Sequence, residues 1–305
     1  MNMKNIIRTL VLVFIASETY AQQLPFTSQY MFNDYLINPA VGGSLNYTPI
    51  ALSIRSQWAG LEGSPKTQFL SAHSKLGRKI GVGGYVFRDE AGPINEQGVQ
   101  LSYSYHIQTA DKTFLAFVLG GMLFSHSIST SKLKFDEPDD LALSNIKQNA
   151  MSPDASFGVL FYSDIFKVGF SVPQIFQNNL YENLESDNQN TLVRHYFIHG
   201  EMIFNVSDNF DIAPGMLAKM VPGAPPQFDV NVKGLYQKKY WIGLSYRHQE
   251  SIVSMVGMEY QQFQIGYSYD FTMTDIGDYS SGSHELYLAL IIGKKELPQR
   301  TAKFQ

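Results

Sequence analysis

The stretch VQLSYSYHI, residues 99–107, alternates apolar and polar side chains without a break. Val99, Leu101, Tyr103, Tyr105 and Ile107 share one face of an extended chain, and Gln100, Ser102, Ser104 and His106 share the other. Successive side chains of a strand point to opposite faces, so this period of two marks a strand buried on one side. The pattern recurs at 228–233, 240–247 and 263–271. Read outward from these runs, the chain holds fourteen expected strands: near 49–58, 66–76, 79–88, 96–109, 112–127, 153–163, 165–172, 193–206, 209–219, 226–236, 239–248, 251–260, 262–272 and 283–293. No helical period interrupts them, and Pro214 marks a bend or bulge in the ninth.

The connections carry the architecture. Short ones fall at 77–78, 110–111, 163–164, 207–208, 237–238 and 261, and long ones at 59–65, 89–95, 128–152, 173–192, 220–225 and 273–282. Long and short alternate along the chain, broken only by a brief connection near 249–250. A transmembrane antiparallel β-barrel does this, with short periplasmic turns, longer external loops and an even strand count. The faces agree: the apolar side is rich in Tyr and Phe, and the polar side is mostly Ser, Gly, Gln and Asn. Aromatic girdles and closure of every strand edge are what a membrane asks of such a sheet. The expected fold is therefore an all-β barrel of about fourteen strands over residues 49–293.

The ends fit that reading. Lys4 and Arg8 precede a short apolar run, and Thr19-Tyr20-Ala21 resembles a cleavage site, so residues 1–21 read as a Sec signal peptide. With no cysteine, neither a disulfide framework nor an N-terminal lipid through cysteine is expected. A net charge of −4 without a basic cluster argues against a nucleic-acid partner. Residues 22–48 have no period, yet carry Phe26, Tyr30, Met31, Phe32, Tyr35 and Leu36, too apolar for a solvated tail. Irregular backbone at membrane depth needs shielding from lipid, so this segment is expected as a plug in the periplasmic half of the lumen. Both termini are expected on the periplasmic side, with a basic tail at 294–305.

The polar face places Arg55, His106, Lys167, Glu201, Asp211, Lys219, Asp229, Lys233, Arg247, Glu259 and Asp270 in the lumen. Both signs are mixed, which favours paired charges in a filled barrel over an ion-selective pore. Candidate chemistry is sparse. His195 and His199 share a face but lie about 13 Å apart on a strand, too far to share a metal. FDEPDD at 135–140 could bind calcium, yet lacks the spacing of an EF-hand and reads as an acidic external loop. In GSHEL, 282–286, Ser283 and Glu285 point one way and His284 the other, so no local Ser–His pair forms. No catalytic residue, metal or cofactor is expected.

Four motifs stand in order: QYMFNDYLINPAVGG at 29–43, RSQWAGLEGSPKTQ at 55–68, FRDEAGPINEQG at 87–98 and GSHEL. Together they resemble the PorP/SprF family of type IX secretion outer-membrane proteins, over essentially the whole mature chain. The matching positions are Gln29, Tyr30, Asn33, Asn38, Pro39, Ala40 and Gly42; Arg55, Gln57, Trp58, Gly60, Gly63, Pro65 and Thr67; Asp89, Gly92 and Pro93; and Gly282, Ser283, His284 and Glu285. The resemblance implies a non-enzymatic role in the secretion and gliding machinery of Bacteroidota. Its implied partners are a periplasmic ring lipoprotein with its ring partner, a large secreted adhesin, and outer-membrane lipid. Two alternatives stand beside it: a plugged transporter of hydrophobic small molecules, since fatty-acid channels share strand number and an Asn-Pro-Ala segment, and an outer-membrane lipase.

Overall fold

The computed structural model describes residues 24–129, 149–178 and 192–293. The expected signal peptide, the FDEPDD segment and the tail from 294 lie outside the described residues. Fifteen strand segments form one antiparallel sheet: β1 (Thr48–Ser56), β2 (Lys66–Leu76), β3 (Ile80–Ala91), β4 (Ile94–Ala110), β5 (Thr113–Ile128), β6 (Asn149–Ser163), β7 (Phe166–Val172), β8 (Tyr196–Met202), β9 (Phe204–Ser207), β10 (Phe210–Met220), β11 (Gln227–Tyr236), β12 (Tyr240–Arg247), β13 (Ser251–Tyr260), β14 (Phe263–Thr272) and β15 (Ser283–Ile292). Each stave pairs with its neighbour in sequence, and β1 pairs with β15 to close a barrel.

β8 and β9 are two parts of one stave, because both pair with β10 on either side of Ile203. The barrel therefore has fourteen staves. The break falls opposite Ala213 and Pro214, between the pairs Gly215–Glu201 and Ile212–Phe204. Proline has no N–H to give a ladder, so the neighbouring stave loses regular pairing at that level.

The face assignment follows the alternation. Leu101 and Leu119 are each 69 % exposed, so the face they share has no protein partner. Gln100, Ser104 and His106 are buried on the other. A belt of exposed Leu, Val, Ile, Phe and Tyr circles the outside, as hydrocarbon contact requires. Short turns gather at one end: 77–79, 111–112, 164–165, 208–209, 237–239 and 261–262. Gln237 and Lys238 both adopt positive φ there (49° and 55°), the left-handed pair that matches the twist of a tight hairpin. The other end carries the longer connections.

One expected long loop is absent. Residues 89–95 are strand on both sides of a two-residue turn, Gly92–Pro93, because β3 and β4 continue past the apolar belt with polar residues such as Asp89 and Glu96. The lumen also departs from the expected polar lining. Phe69, Tyr85, Phe87, Met122 and Phe124 point inward and build an apolar wall on β2, β3 and β5. Among the described residues there is no α-helix, and only short 3₁₀ turns at Asp34–Leu36, Pro39–Val41 and Asp275–Tyr279.

Candidate functional site: a plug held by four converging motifs

Residues 27–43 are mostly buried against the inner face of the barrel. Tyr35, Asn38, Ala40 and Gln29 are wholly buried, and Tyr30, Met31, Ile37 and Val41 nearly so. The segment is compact because two 3₁₀ turns follow each other. The second starts at Asn38, whose side chain accepts a hydrogen bond from Ala40 N (3.1 Å) while Pro39 takes the first turn position. That is the arrangement a polar cap and a proline favour, since the proline ring presets φ and needs no N–H partner.

The plug runs the length of the lumen. Leu24 lines a cleft with Phe87, Met122 and Gln174, in the half nearer the long connections. Gly43 packs against Gly81 at the short-turn end. The segment thus meets the wall at both levels, and the reason is on the wall. The half nearer the long connections buries Glu285, Asp270 and Asp229, which need donors, and offers aromatic surface for Phe26 and Leu24.

The first anchor answers those carboxylates. Ser28 N donates to Glu285 Oε2 (2.6 Å), Ser28 Oγ to Asp270 Oδ2 (2.7 Å) and Gln29 Nε2 to the Glu285 carbonyl (3.1 Å). Thr27 Oγ1 and Ser53 Oγ both donate to Glu285 Oε1. Arg55 bridges Asp270 (2.7 Å) and Glu285 (3.8 Å), and Arg247 bridges Asp229 (3.3 Å), Glu250 (2.9 Å) and Asp270 (3.7 Å). Lys219 sits 3.4 Å above the Phe26 ring. The buried charges are paired and hydrogen-bonded into one network, the condition under which buried ion pairs are tolerated.

The second anchor lies deeper. Lys167 pairs with Asp34 (2.6 Å) and Glu201 (3.4 Å), while Lys233 pairs with Glu201 (2.5 Å) and donates to the Met31 carbonyl (2.8 Å). Burial works to raise the Asp34 carboxyl, but Lys167 and His199 outweigh it and hold it below its ordinary value. Burial pushes the Tyr35 phenol up to about 12, and its hydroxyl bonds Ser102 Oγ (2.7 Å). Asn33 Nδ2 donates to Ser71 Oγ (2.9 Å), Asn231 Nδ2 to the Tyr30 hydroxyl (2.8 Å) and Ser171 Oγ to the Ile37 carbonyl (2.7 Å).

The third anchor is a glycine contact. Asn38 Nδ2 reaches the Val159 carbonyl (3.0 Å) and His199 (3.2 Å), lying over Gly158 and Gly169. A Cβ on Gly158 would stand 2.3 Å from Asn38 Oδ1. Beyond it, Ser104 Oγ (2.5 Å) and His106 Nε2 (2.8 Å) both donate to the Gly42 carbonyl. His106 Nδ1 then accepts from the Tyr162 hydroxyl (2.8 Å). A Cβ on Gly81 would stand 2.0 Å from the Gly42 oxygen, so only glycine admits this approach.

The four ordered motifs meet at this plug and beside it. Gln29, Tyr30, Asn33, Asn38, Pro39, Ala40 and Gly42 are in the plug itself, and Arg55 and Glu285 are its wall partners, facing each other across the closing seam. Above them, Trp58 N donates to Ser283 Oγ (3.1 Å) and Ala59 N to the Gly282 carbonyl (2.8 Å). Gln57 N bonds the Pro65 carbonyl (2.9 Å) and Gly92 N the Gly63 carbonyl (2.8 Å). Thr67 Oγ1 donates to Asp89. Gly60, Gly63, Gly92 and Gly282 have positive φ in these turns, and Pro93 completes the one between β3 and β4. His284 points outward, bonded to the Tyr267 hydroxyl (2.6 Å).

Ser283 and His284 are thus on opposite faces, and His195 and His199 do separate work. His195 Nδ1 donates to the Val193 carbonyl (2.8 Å), whereas His199 meets Asn38. Reasoning from sequence missed Ser28, Thr27 and Asp34 as anchors; their short polar side chains among aromatics were the available signal.

No curated protein matches the sequence. Among solved structures, a FadL homologue of Pseudomonas aeruginosa is similar over 89 % of this chain and 95 % of its own, with 11 % identity and a TM-score of 0.51. The monoaromatic hydrocarbon channel CymD is similar over 90 % and 95 %, with 10 % identity and a TM-score of 0.51. At such identity the likeness shows the barrel fold alone. The sequence profile of the type IX secretion system membrane protein PorP/SprF matches residues 19–290, and the chain belongs to that family.

Proposed function

We propose that this barrel serves the type IX machinery without catalysis, by presenting its two ends to partners while the plug keeps the lumen shut. The observation that carries the reading is the use made of the family motifs. Their residues are spent on locking residues 27–43 to the wall and on tying the loops 57–65, 92–93 and 279–282 together at one end. A conducting channel has no use for three anchors across its lumen. A docking platform does, because partner surfaces need rigid support.

In this reading the short-turn end is periplasmic and meets the ring lipoprotein and its ring partner. The long-connection end faces outward and supports export or retention of a large adhesin. In the same reading residues 1–21 direct export, and β15 ends at the ring side. Affinity purification from native membranes tests this. Co-recovery of ring proteins or of a giant surface protein is expected; a barrel that purifies alone, from cells whose secretion survives its deletion, refutes it.

A second reading, passage of small hydrophobic molecules, is favoured by the apolar wall on β2, β3 and β5. It requires the plug to move. Uptake of a hydrophobic substrate lost on deletion of the gene, with secretion intact, would select it.

A further inference from the structure

We propose that the outward face of β1–β4 at the long-connection end holds the phosphate-bearing sugar headgroup of an outer-leaflet glycolipid, with Lys66 and Arg88 as its cationic contacts. Strand register defines the face. Val86 on β3 stands opposite Leu70 on β2 and Val99 on β4, and all three are exposed and apolar. Two residues further along each strand, Gln68, Arg88 and Gln97 stand side by side. Two further still, Ser56 on β1 leads a row through Lys66, Glu90 and Asn95. Opposed side chains share a face, so both polar rows point away from the lumen, directly above the apolar one. On β11–β14 the outside is different: exposed Phe228, Tyr246, Ile252 and Phe271 carry the apolar surface to the strand ends.

The charges on this face are not balanced against each other. Glu90 stands opposite Lys66 across β2–β3, yet its carboxylate bonds Arg88, and Lys66 has no ion pair among the described residues. The Arg88 side chain is 61 % exposed and gives Glu90 only Nη2, so its fork keeps donors for a second anion. His284 extends the row across the closing seam, opposite Ser56. It belongs to GSHEL but has no part in holding the plug. Its Nδ1 bonds the Tyr267 hydroxyl (2.6 Å), and its ring lies 5.2 Å from that of Tyr269. With Nδ1 accepting from the tyrosine, Nε2 carries the ring proton and can donate to an oxygen.

The occupant follows from what adjoins the face. A lipid whose acyl chains lie on Leu70, Val86 and Val99 sets its headgroup on the two polar rows above them. An unpaired ammonium and an exposed guanidinium are the groups that hold phosphate in a headgroup. The amides of Gln68 and Gln97 and the hydroxyl of Ser56 both donate and accept, as sugar hydroxyls require. Neighbouring strands are about 5 Å apart, so His284, Lys66 and Arg88 fall within reach of one phosphorylated disaccharide. The choice of an outer-leaflet lipid rests on the outward orientation proposed for the long-connection end.

The test titrates purified full-length protein in detergent micelles with radiolabelled monophosphoryl lipid A and with the same lipid dephosphorylated. The phosphorylated form should bind at least about tenfold better. Lys66→Ala with Arg88→Ala should abolish that preference, and Lys112→Ala with Lys238→Ala, at the short turns, should leave it unchanged. Heat-modifiable migration checks that every variant is a closed barrel. Equal binding of the two lipids would overturn the proposal, as would full displacement by millimolar inorganic phosphate, which marks a free-anion site. So would a Lys66–Arg88 double variant that binds lipid A normally but loses a protein on purification from native membranes, since the face would then be a protein interface. Orientation is read separately. The chain has no cysteine, so Glu62→Cys in the exposed 57–65 loop should be labelled on intact cells by an impermeant maleimide. No labelling, with micelle binding intact, would refute the outward orientation and an outer-leaflet ligand with it. Labelling without a phosphate preference would remove the headgroup site alone.

Discussion

Gly81→Ala is the sharpest probe of the plug. The new methyl would stand 2.0 Å from the Gly42 oxygen and 2.3 Å from Ser104 Oγ, and backbone cannot yield as a side-chain tip can. Relief requires the Gly42–Gly43 turn to leave the wall, which breaks the hydrogen bonds from Ser104 and His106 to the Gly42 carbonyl. Two such bonds contribute about 1 kcal/mol each, and overpacking costs about 1–3 kcal/mol. Docking of the plug should weaken by about 3–5 kcal/mol. With opening fast relative to cleavage, the open population sets the rate, so chymotrypsin should cut at Tyr30–Tyr35 roughly a hundred- to several-thousand-fold faster. Gly121→Ala is the control, because a Cβ there meets nothing within 4 Å. Retained heat-modifiable migration in gels would show that both barrels are closed. Equal cleavage of the two variants, with both barrels intact, would refute the anchored plug.

Asn38→Ala removes the turn cap and the bond to Val159; plug docking should weaken by about 2–3 kcal/mol, read as hydrogen exchange of residues 38–43. Arg55→Leu leaves Asp270 and Glu285 with less compensation in a buried site and should cost about 3–5 kcal/mol, seen as a lowered unfolding temperature of the barrel. Asp34 is held below its ordinary value of 3.8, so its folded form favours the carboxylate. Its stabilisation is complete above that value and is lost as pH falls through the depressed folded one. Pepsin sensitivity of the plug should therefore rise below pH ~3.8, and Asp34→Asn should remove that step while leaving the plug looser at neutral pH.

Much of this fold is legible in the alternation of residues such as Val99 to Ile107, because lipid and lumen impose opposite chemistry on adjacent positions. The failures have equally local causes. In β2 and β3 the neighbours Phe69 and Leu70, and Tyr85, Val86 and Phe87, are apolar on both faces, so the inward apolar wall leaves no alternation to read. Arg88 to Glu96 resembles a loop because its strands stand above the belt, where both faces are wet. The contacts of Asp154 and Arg194 with Ile175 join residues whose proximity only the closed barrel creates. In the plug, apolar residues without period indicated burial, and the partners of Ser28 could not be guessed from 242 positions away.

The seam between β1 and β15 gives the plug a bearing on biogenesis. Arg55 and Glu285 face each other across that seam, and Thr27, Ser28 and Gln29 bond to Glu285 from within. Residues 27–29 are thereby stitched to β15, the last described strand in chain order. A barrel that closed first would have to admit a bulky aromatic segment through an occluded mouth. A plug threaded like a mandrel while the seam is open would leave the Arg55–Glu285 contact as the clasp that fastens around it.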